Sequence, residues 1–400
     1  MEKIILHLDV NNAFLSWTAV EMLKTGHTDI RKQIAVVGYS PSIRKGIVLA
    51  KSISAKEAGI LSGEPIFSAS QKVKKLFVYQ PDFEIYNRAS TALFNLIYSY
   101  TPDIEVFSID ECFIDYTKVK KLYGDEYQFA LKLQKEIFDK FGFTVNIGIA
   151  NNKLCAKMAS DFSKPNKIHT LYANEIKDKL WPLPIDNLLW VGKKSAIKLK
   201  ELGIKTIGDL ANYDEFALSK YFKNQTKVMI NHANGIDNSA VSSDRWTPKG
   251  ISNATTFDHS LDDKQLIYLK LSELCENVAL SLRKEEKYAN VVAISIKDEN
   301  FKSYSHQMKL LNATNITKEI TKAAKKLFEE IWNGESVRLI GVRLDQLTDQ
   351  VNHQISLFES FEEKVKDSKL DKTVDTLKDK YGDKIINPAC IAKRKSKEKV

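Results

Sequence analysis

The chain has 400 residues, of which 43% are hydrophobic and 28% charged, and a formal net charge of +9. This balance is ordinary for a globular protein and excludes a fibrous or intrinsically disordered chain, while the length predicts two to four domains. The positive charge suits a polyanionic partner, although many globular proteins are mildly basic. The four cysteines form no C-x-x-C pair and no apolar run is long enough to span a bilayer, so we expect a cytoplasmic protein without disulfides.

The first 165 residues predict a sheet with helices packed against it. Strands are predicted over 4–10, 34–37, 46–50, 104–109, 112–116 and 144–150, and helices over 12–24, 55–60, 68–76, 82–100, 125–141 and 152–162. This order indicates an α+β domain of the ferredoxin-like kind, with an insertion at residues 19–75.

The rest of the chain predicts a helical region followed by a second domain of strands and helices. Short helices are expected from about 174 to 236, and the polar stretch 239–249 is typical of a linker. Beyond the linker, strands are predicted over 251–257, 290–297, 304–310 and 336–345, and helices over 263–286, 317–332 and 369–381. The apolar stripe of the last helix leaves open whether it docks on the body, binds a partner or is a solvated tail.

Three acidic residues interrupt strand-like apolar runs. Asp9 follows a run that begins at Ile4, and Asp110 and Glu111 lie between two apolar stretches a hundred residues later. A carboxylate among β-branched and aromatic residues is costly to bury unless it is paired or bound to a cation. Oxygen ligands favour a hard ion such as Mg²⁺. The alternative for Asp110-Glu111 is a simple polar hairpin turn.

Three segments in order carry a family resemblance. They are I-I-L-H-L-D-V-N-N-A-F (4–14), S-I-D-E-C-F-I-D (108–115) and A-K-M-A-S-D-F-S-K-P-N-K (156–167). Together they resemble the Y-family, or translesion, DNA polymerases, and the resemblance extends to about residue 358. It implies a right-hand polymerase with a ferredoxin-like palm, small fingers, a helical thumb and an α/β little finger.

The resemblance assigns the catalytic residues. It implies that Asp9 and Asp110 each bind both of two Mg²⁺ ions. Glu111 is implied to be a further ligand of the ion at the primer 3′-hydroxyl, and the Val10 carbonyl a further ligand of the nucleotide-bound ion. Phe14 is implied to be a steric gate that excludes the ribose 2′-hydroxyl. The alternative for Phe14 is an ordinary core aromatic.

The resemblance also implies a set of nucleotide-binding residues, which are Asn12, Ala13, Ser52, Lys56 and Lys164. Many members of the family carry Tyr at the position of Ile53 and Arg at that of Lys56, so the triphosphate contacts of this segment depart from the common form. The finger segment A-K-E-A-G-I resembles the catalytic subunit of DNA polymerase V more than DNA polymerase IV. Lys157 is expected to face either the duplex or the active site.

Contacts to DNA are expected in two regions. Residues 183–211 resemble a helix-hairpin-helix, in which Gly192, Lys193 and Lys194 would bind a backbone phosphate without reading sequence. In the second domain, Arg338 and Arg343 lie on a strand predicted to be at the sheet edge and are further candidates for phosphate contact.

The segment Q-I-S-L-F at 354–358 resembles the bacterial sliding-clamp motif. Leu357 and Phe358 would enter an apolar pocket of the clamp, with Gln354 at its rim. The expected domains are the palm (1–18 and 76–165), fingers (19–75), thumb (166–238), linker (239–249), little finger (250–348) and a region with the clamp motif and a basic tail (349–400).

The resemblance thus implies an error-prone, template-directed DNA polymerase without proofreading, which takes primer-template DNA and deoxynucleoside triphosphates and binds the sliding clamp. It leaves open whether an accessory subunit is needed. Two alternatives are a catalytically silent DNA-binding clamp adaptor and another two-metal palm enzyme such as a nucleotide cyclase. The helix-hairpin-helix and the clamp motif argue against a cyclase, and the three carboxylates argue against an adaptor.

Overall fold

The computed structural model of the protein describes residues 2–39, 46–244, 247–350, 361–382 and 385–386. The chain divides into two compact units, Met1–Arg245 and Trp246–Val400, at a point within the polar stretch expected to be a linker. Among the described residues, none of the helices combines the length and apolar character needed to cross a bilayer.

The first unit contains eight strands and eleven α-helices within its described residues. Its strands are β1 (Ile5–Val10), β2 (Ala35–Val37), β3 (Ala50–Lys51), β4 (Phe77–Tyr79), β5 (Ile104–Val106), β6 (Glu111–Asp115), β7 (Val145–Ala150) and β8 (Ile168–Leu171). Its helices are α1 (Ala13–Lys24), α2 (Ile53–Glu57), α3 (Ile66–Gln71), α4 (Phe83–Tyr98), α5 (Lys120–Tyr123), α6 (Glu126–Phe141), α7 (Lys153–Ser160), α8 (Lys193–Glu201), α9 (Ile207–Ala211), α10 (Glu215–Phe222) and α11 (Thr226–Ala233).

The main sheet of this unit has the strand order β5-β6-β1-β7-β8. Its central strand β1 is buried on both sides because alternate side chains enter different layers. Leu6 and Leu8 pack in the core with α4 and α6, whereas Ile5 packs in the core with α7. The alternation places His7 and Asp9 on the α7 face of the sheet.

Two short strands were not expected from the sequence, and both affect the domain limits. β4 joins β2 and β3 in a separate sheet of order β3-β2-β4, so residues 77–79 pair with the insertion rather than with the main sheet. β8 pairs in parallel with β7 and extends the main sheet beyond residue 165. The limits of the palm and fingers stay predictions, which these pairings would move by a few residues.

The second unit contains β9 (Gly250–Leu261), α12 (Lys264–Lys284), β10 (Tyr288–Asp298), β11 (Ser303–Thr314), α13 (Thr317–Ile331), β12 (Val337–Thr348) and α14 (Phe361–Tyr381). Its sheet is antiparallel with the order β11-β10-β12-β9, and its core is formed with α12 and α13. The expectation that Arg338 and Arg343 lie on an edge strand is wrong, because β12 pairs with both β10 and β9.

Candidate active site

Strand pairing brings the backbones of the three predicted acidic residues together. β1 pairs antiparallel with β6 so that Asp9 lies opposite Glu111, and the Val10 amide donates to the Asp110 carbonyl at 3.0 Å. The tight turn before β6 is closed by the amides of Phe107 and Ser108, which both donate to the Glu111 carbonyl. Residues distant in sequence therefore meet at one end of the central strands.

Asp9 is mostly buried and faces a lysine from the loop after α7. The Lys164 Nζ lies 3.1 Å from Asp9 Oδ2 and 2.8 Å from Asp161 Oδ1. Burial raises the pKa of Asp9 to about 6, although Lys164 opposes that shift. Burial would lower the pKa of Lys164, but Asp9 and Asp161 raise it, so the amine keeps its charge. A carboxylate that one lysine does not fully compensate is suited to further positive charge.

Glu111 pairs with Lys157 and lies beside His7 on the α7 face of the sheet. Its Oε2 lies 2.5 Å from Lys157 Nζ and 3.3 Å from His7 Nε2. Burial would raise the pKa of Glu111, but the neighbouring His7 and Lys157 outweigh it and lower that pKa to about 2. His7 is fully buried, and its Nδ1 lies 2.8 Å from Ser160 Oγ. Glu111 is therefore an anion with a fixed direction.

Asp110 is oriented by its own turn, since Ser108 Oγ donates to Asp110 Oδ1 at 2.6 Å. The donors at this place are carboxylate and carbonyl oxygens, which is the chemistry that a hard divalent ion requires. Within the described part of the chain, however, three or more acidic, histidine or cysteine side chains do not converge as a ready-made cation site. The donor types fit a cation, but the present pairing of Glu111 with Lys157 competes with it.

Phe14 lies in the first turn of α1, five residues after Asp9. Its ring stacks on Tyr86 with a centroid distance of 4.6 Å and an interplanar angle of 14°, and Phe83 contacts it edge-on at 5.9 Å. The side chain is half-buried. Asn12 precedes it in a left-handed conformation (φ 49°), which turns the chain sharply from β1 into α1. The ring is thus supported by neighbouring aromatic residues and remains partly exposed.

Two asparagines that the sequence interpretation missed position the neighbouring loop. Asn11 Nδ2 donates to Asn146 Oδ1 at 3.0 Å, and Asn11 Oδ1 accepts from the Asn166 amide at 2.8 Å. Asn146 is fully buried and also donates to the carbonyls of Ser160 and Ser163. These bonds fix the loop that carries Lys164 beside Asp9. A polar residue inside the apolar strand V-N-I-G-I was the signal for Asn146.

The predicted triphosphate residues of the finger segment have different surroundings. The Ser52 side chain is buried, and its Oγ accepts from the amides of Ala55 and Ala35, both at 3.1 Å. That oxygen caps α2, so we do not include Ser52 among the proposed triphosphate ligands. Lys56 is exposed near the end of α2.

The predicted phosphate-binding turn lies at the beginning of α8. Gly192 is the N-cap of this helix, and Gly192, Lys193 and Lys194 are all exposed. The Thr206 side chain and Asp209 form a capping box at the start of α9, the next helix along the chain. The first turn of α8 carries no acidic residue, so the helix dipole and both lysines favour an anion there.

In the second unit, Arg343 is exposed and holds Asp345 through two hydrogen bonds, from Nε at 2.5 Å and from Nη2 at 2.8 Å. The Arg338 guanidinium lies 4.6 Å from the Phe301 ring centroid. Both side chains are thus engaged with neighbours on their own unit. Gln354, Leu357 and Phe358, the predicted clamp-binding residues, lie outside the described residues.

Comparison with known proteins gives the same result along nearly the whole chain. Residues 8–161 match the impB/mucB/samB family model, and residues 248–357 match the model of the C-terminal domain of that family. The "DNA polymerase IV" of Clostridium acetobutylicum is 46% identical over 399 residues, which cover 99% of this chain and 100% of the relative. The "DNA polymerase IV 1" of Bacillus subtilis is 34% identical and covers 99% and 95%. Both relatives are named as DNA polymerase IV, whereas the finger segment favoured the catalytic subunit of DNA polymerase V.

Solved structures agree with this assignment. A chimera of the Dbh and Dpo4 Y-family DNA polymerases has a TM-score of 0.74 at 25% identity, covering 87% of this chain and 100% of the chimera. An insertion ternary complex of Dbh DNA polymerase has a TM-score of 0.61 at 24% identity, covering 87% and 100%, which supports the fold.

Proposed function

We propose that this chain, which belongs to the impB/mucB/samB family and is a Y-family translesion DNA polymerase, extends a primer with Asp9, Asp110 and Glu111 as its catalytic carboxylates. The observation that carries the proposal is the pairing of β1 with β6, which sets Asp9 opposite Glu111 and bonds Val10 to Asp110. Enzymes of this family depend on divalent metal ions, and we propose two Mg²⁺ for each active site.

The residues would divide the work as follows. Asp9 and Asp110 would hold both ions, Glu111 would complete the ion on the primer side, and the Val10 carbonyl would serve the ion on the nucleotide side. When bound, the ions lower the pKa of the primer 3′-hydroxyl and neutralise the charge of the triphosphate and of the leaving pyrophosphate. The protein's own contribution is to place Asp9, Val10 and Glu111 on paired strands and Asp110 on the turn that leads into β6.

The incoming nucleotide would lie against α1 and the loop that carries Lys164. Phe14 would support the sugar, and its ring would clash with a ribose 2′-hydroxyl. Lys164, which is charged and adjacent to Asp9, and Lys56 would neutralise the triphosphate together with the backbone at Asn12 and Ala13. Lys164 would exchange Asp9 for phosphate oxygens when the nucleotide binds.

Primer-template DNA would be held mainly through its phosphates. The exposed first turn of α8, with Gly192, Lys193 and Lys194, offers backbone amides and two charges without base recognition. In the second unit, Arg343 would exchange Asp345 for a phosphate, and Arg338 is a weaker candidate because it stacks on Phe301.

Other assignments follow from the family. We propose the domains as expected from the sequence, synthesis without proofreading, and binding of the bacterial sliding clamp through Gln354, Leu357 and Phe358. The need for an accessory subunit stays open. The DNA that its bacterial relatives copy lies in the cytoplasm, and we propose that location here.

A primer-extension assay with Mg²⁺ tests the proposal. The native chain should add deoxynucleotides to an annealed primer, and Asp110→Ala should be inactive while binding the same DNA with unchanged affinity. If the native chain binds DNA but adds nothing, the clamp adaptor becomes the better account. If it converts nucleoside triphosphates to cyclic products without DNA, it is a nucleotide cyclase.

A further inference from the structure

Lys157 connects α7 to the catalytic carboxylate Glu111. The Nζ to Oε2 distance is 2.5 Å, and the two side chains are only 13% and 15% exposed. The amine also lies 5.6 Å from the centroid of the Phe107 ring, on the turn before β6. An ion pair that is largely removed from water is strong enough to set the direction of both side chains.

His7 approaches the same oxygen of Glu111 from the central strand. Its Nε2 lies 3.3 Å from Oε2, and its Nδ1 lies 2.8 Å from Ser160 Oγ, which in turn donates to the Lys157 carbonyl at 2.8 Å. Helix α7 thus supplies both the amine and the hydroxyl that fixes the imidazole. Glu111 is thus paired with the Lys157 amine, while His7 lies beside the same carboxylate oxygen and is fixed by Ser160 on the same turn of α7.

These contacts involve Oε2 of Glu111, one of the oxygen atoms that a cation would need. The three carboxylates have adjacent backbones, yet among the described residues their side chains do not form a ready-made cation site. We propose that Lys157 is a positioning residue that holds Glu111 away from its ligating position and competes with the primer-side cation for it. This inference rests on the proposed two-ion active site.

The consequence is an ordered assembly of the active site. Glu111 would become a ligand only when a cation displaces the Lys157 amine, so a cation alone would bind weakly. A bound primer and triphosphate add negative charge that attracts both the cation and the amine, and they would favour the exchange. Premature binding of the cation is thereby opposed by an ammonium group of the protein.

The chain offers a matched control on the same helix. Lys153 lies one turn before Lys157, is 15% exposed, and pairs with Glu105 through both carboxylate oxygens at 2.7 Å. It anchors α7 to β5 as Lys157 anchors it to β6, but its partner is not among the catalytic acids. A role limited to anchoring the helix would make the two lysines equivalent.

The test is a titration of the full chain with Mn²⁺, without DNA or nucleotide, in which electron paramagnetic resonance measures the free ion. Lys157→Met should bind Mn²⁺ roughly tenfold more tightly than the native chain. The reason is that the charged hydrogen bond from Lys157 no longer competes with the cation for Glu111, and such a bond contributes about the free energy of a tenfold change in affinity. Lys157→Gln, which keeps a hydrogen-bond donor without the charge, should shift affinity in the same direction. Lys153→Met should bind as the native chain does.

A double variant shows whether the effect passes through Glu111. Adding Glu111→Gln to Lys157→Met should remove the gain in affinity. The proposal is overturned if Lys157→Met and Lys157→Gln bind Mn²⁺ no more tightly than Lys153→Met, or if the gain survives Glu111→Gln. Native primer extension without the Mn²⁺ shift would reject this inference alone, whereas the shift without any extension would reject the polymerase assignment of the site.

Discussion

The Phe14 ring has one supported face, stacked on Tyr86, and lies five residues beyond Asp9 in the first turn of α1. A ring held in this way is stiff, because a stacked neighbour and an edge-on neighbour both restrict it. At the residue scale, this stiffness is what a steric gate needs, since a mobile ring would yield to a ribose 2′-hydroxyl.

We expect Phe14→Ala to raise the incorporation of ribonucleotides relative to deoxynucleotides by roughly a hundredfold, a loss of discrimination typical of removing a shape-based clash. Single-nucleotide insertion kinetics with matched ribo- and deoxyribonucleoside triphosphates measure it. Phe14→Tyr, which keeps the ring, should retain the native selectivity. Unchanged sugar selectivity in Phe14→Ala would return Phe14 to the role of a core aromatic.

Lys164 gives a second prediction at this scale. Lys164→Met should raise KM for the nucleotide roughly tenfold or more, because a charge-assisted contact to the triphosphate is lost. Lys167→Met, three residues later on the same loop, should change KM by less than about twofold, as expected for an exposed charge. Steady-state kinetics on one template provide both values, and equal effects of the two substitutions would refute the specific role of Lys164.

The sequence interpretation identified the acidic residues but not what holds them. Asp9, Asp110 and Glu111 were recognisable because each interrupts an apolar run, which is a local pattern. The contacts of Glu111 with His7 and Lys157, and of Asn11 with Asn146, join residues 46 to 135 positions apart in the chain. Such pairings depend on strand register, which no single stretch of sequence encodes.

At the scale of elements, α14 packs on α12 and α13 of its own unit through charged side chains. Asp367, Asp371, Asp375 and Asp379 recur every fourth residue and therefore share one face of the helix. They meet Lys318, Arg283 and Lys284 on α13 and α12. Asp371 also accepts from the Thr317 amide at 2.8 Å, and so caps the N-terminus of α13, which has no side-chain cap of its own.

Arg283 is the centre of this contact, since it is 10% exposed and binds Asp375 through Nε at 2.6 Å and Nη2 at 2.9 Å. We expect Arg283→Ala to reduce the free energy that holds α14 by about 2–4 kcal/mol, because it leaves two carboxylates without their partner. Lys284→Ala should cost less than about 1 kcal/mol, since its pair with Asp379 is exposed. Amide hydrogen exchange of α14 measures the loss of stability in each variant. Equal protection in the two variants would argue against Arg283 as the centre of the contact.

The length of an element decided whether it could be predicted from the sequence. Long amphipathic elements such as α4, α6 and α13 were expected within two residues of their observed bounds. The short strands β4 and β8 were missed because three or four residues carry too little periodicity. The apolar stripe expected on α14 is only partly covered, since Leu370 and Tyr381 are both 60% exposed whereas Val374 and Leu377 are half-buried.

At the scale of the whole molecule, the two family models match segments in both units, and the relatives match over nearly the full length. The family could therefore be inferred from three short motifs because they retain their order along the chain. The subgroup suggested by the finger segment A-K-E-A-G-I does not agree with the names of these relatives, since six residues carry far less information than 399 aligned positions.

The clamp motif provides a prediction for the complete protein. Alanines at Leu357 and Phe358 should abolish the stimulation of synthesis by the sliding clamp while basal synthesis is retained, because the apolar anchors of the motif are removed. Ile355→Ala, at the variable position of the motif, should leave stimulation intact. Primer extension with and without clamp measures the effect, and undiminished stimulation in the double variant would make the motif a coincidence.

The most direct measurement for the active site is the anomalous scattering of Mn²⁺ in crystals of the native chain with primer-template DNA and a non-hydrolysable nucleotide. Two manganese peaks are expected between Asp9 and Asp110, one of them also bound by Glu111 after it has left Lys157. Peaks bound by other residues, or a fully occupied nucleotide with Glu111 still on Lys157 and no manganese beside Asp9, would contradict the account.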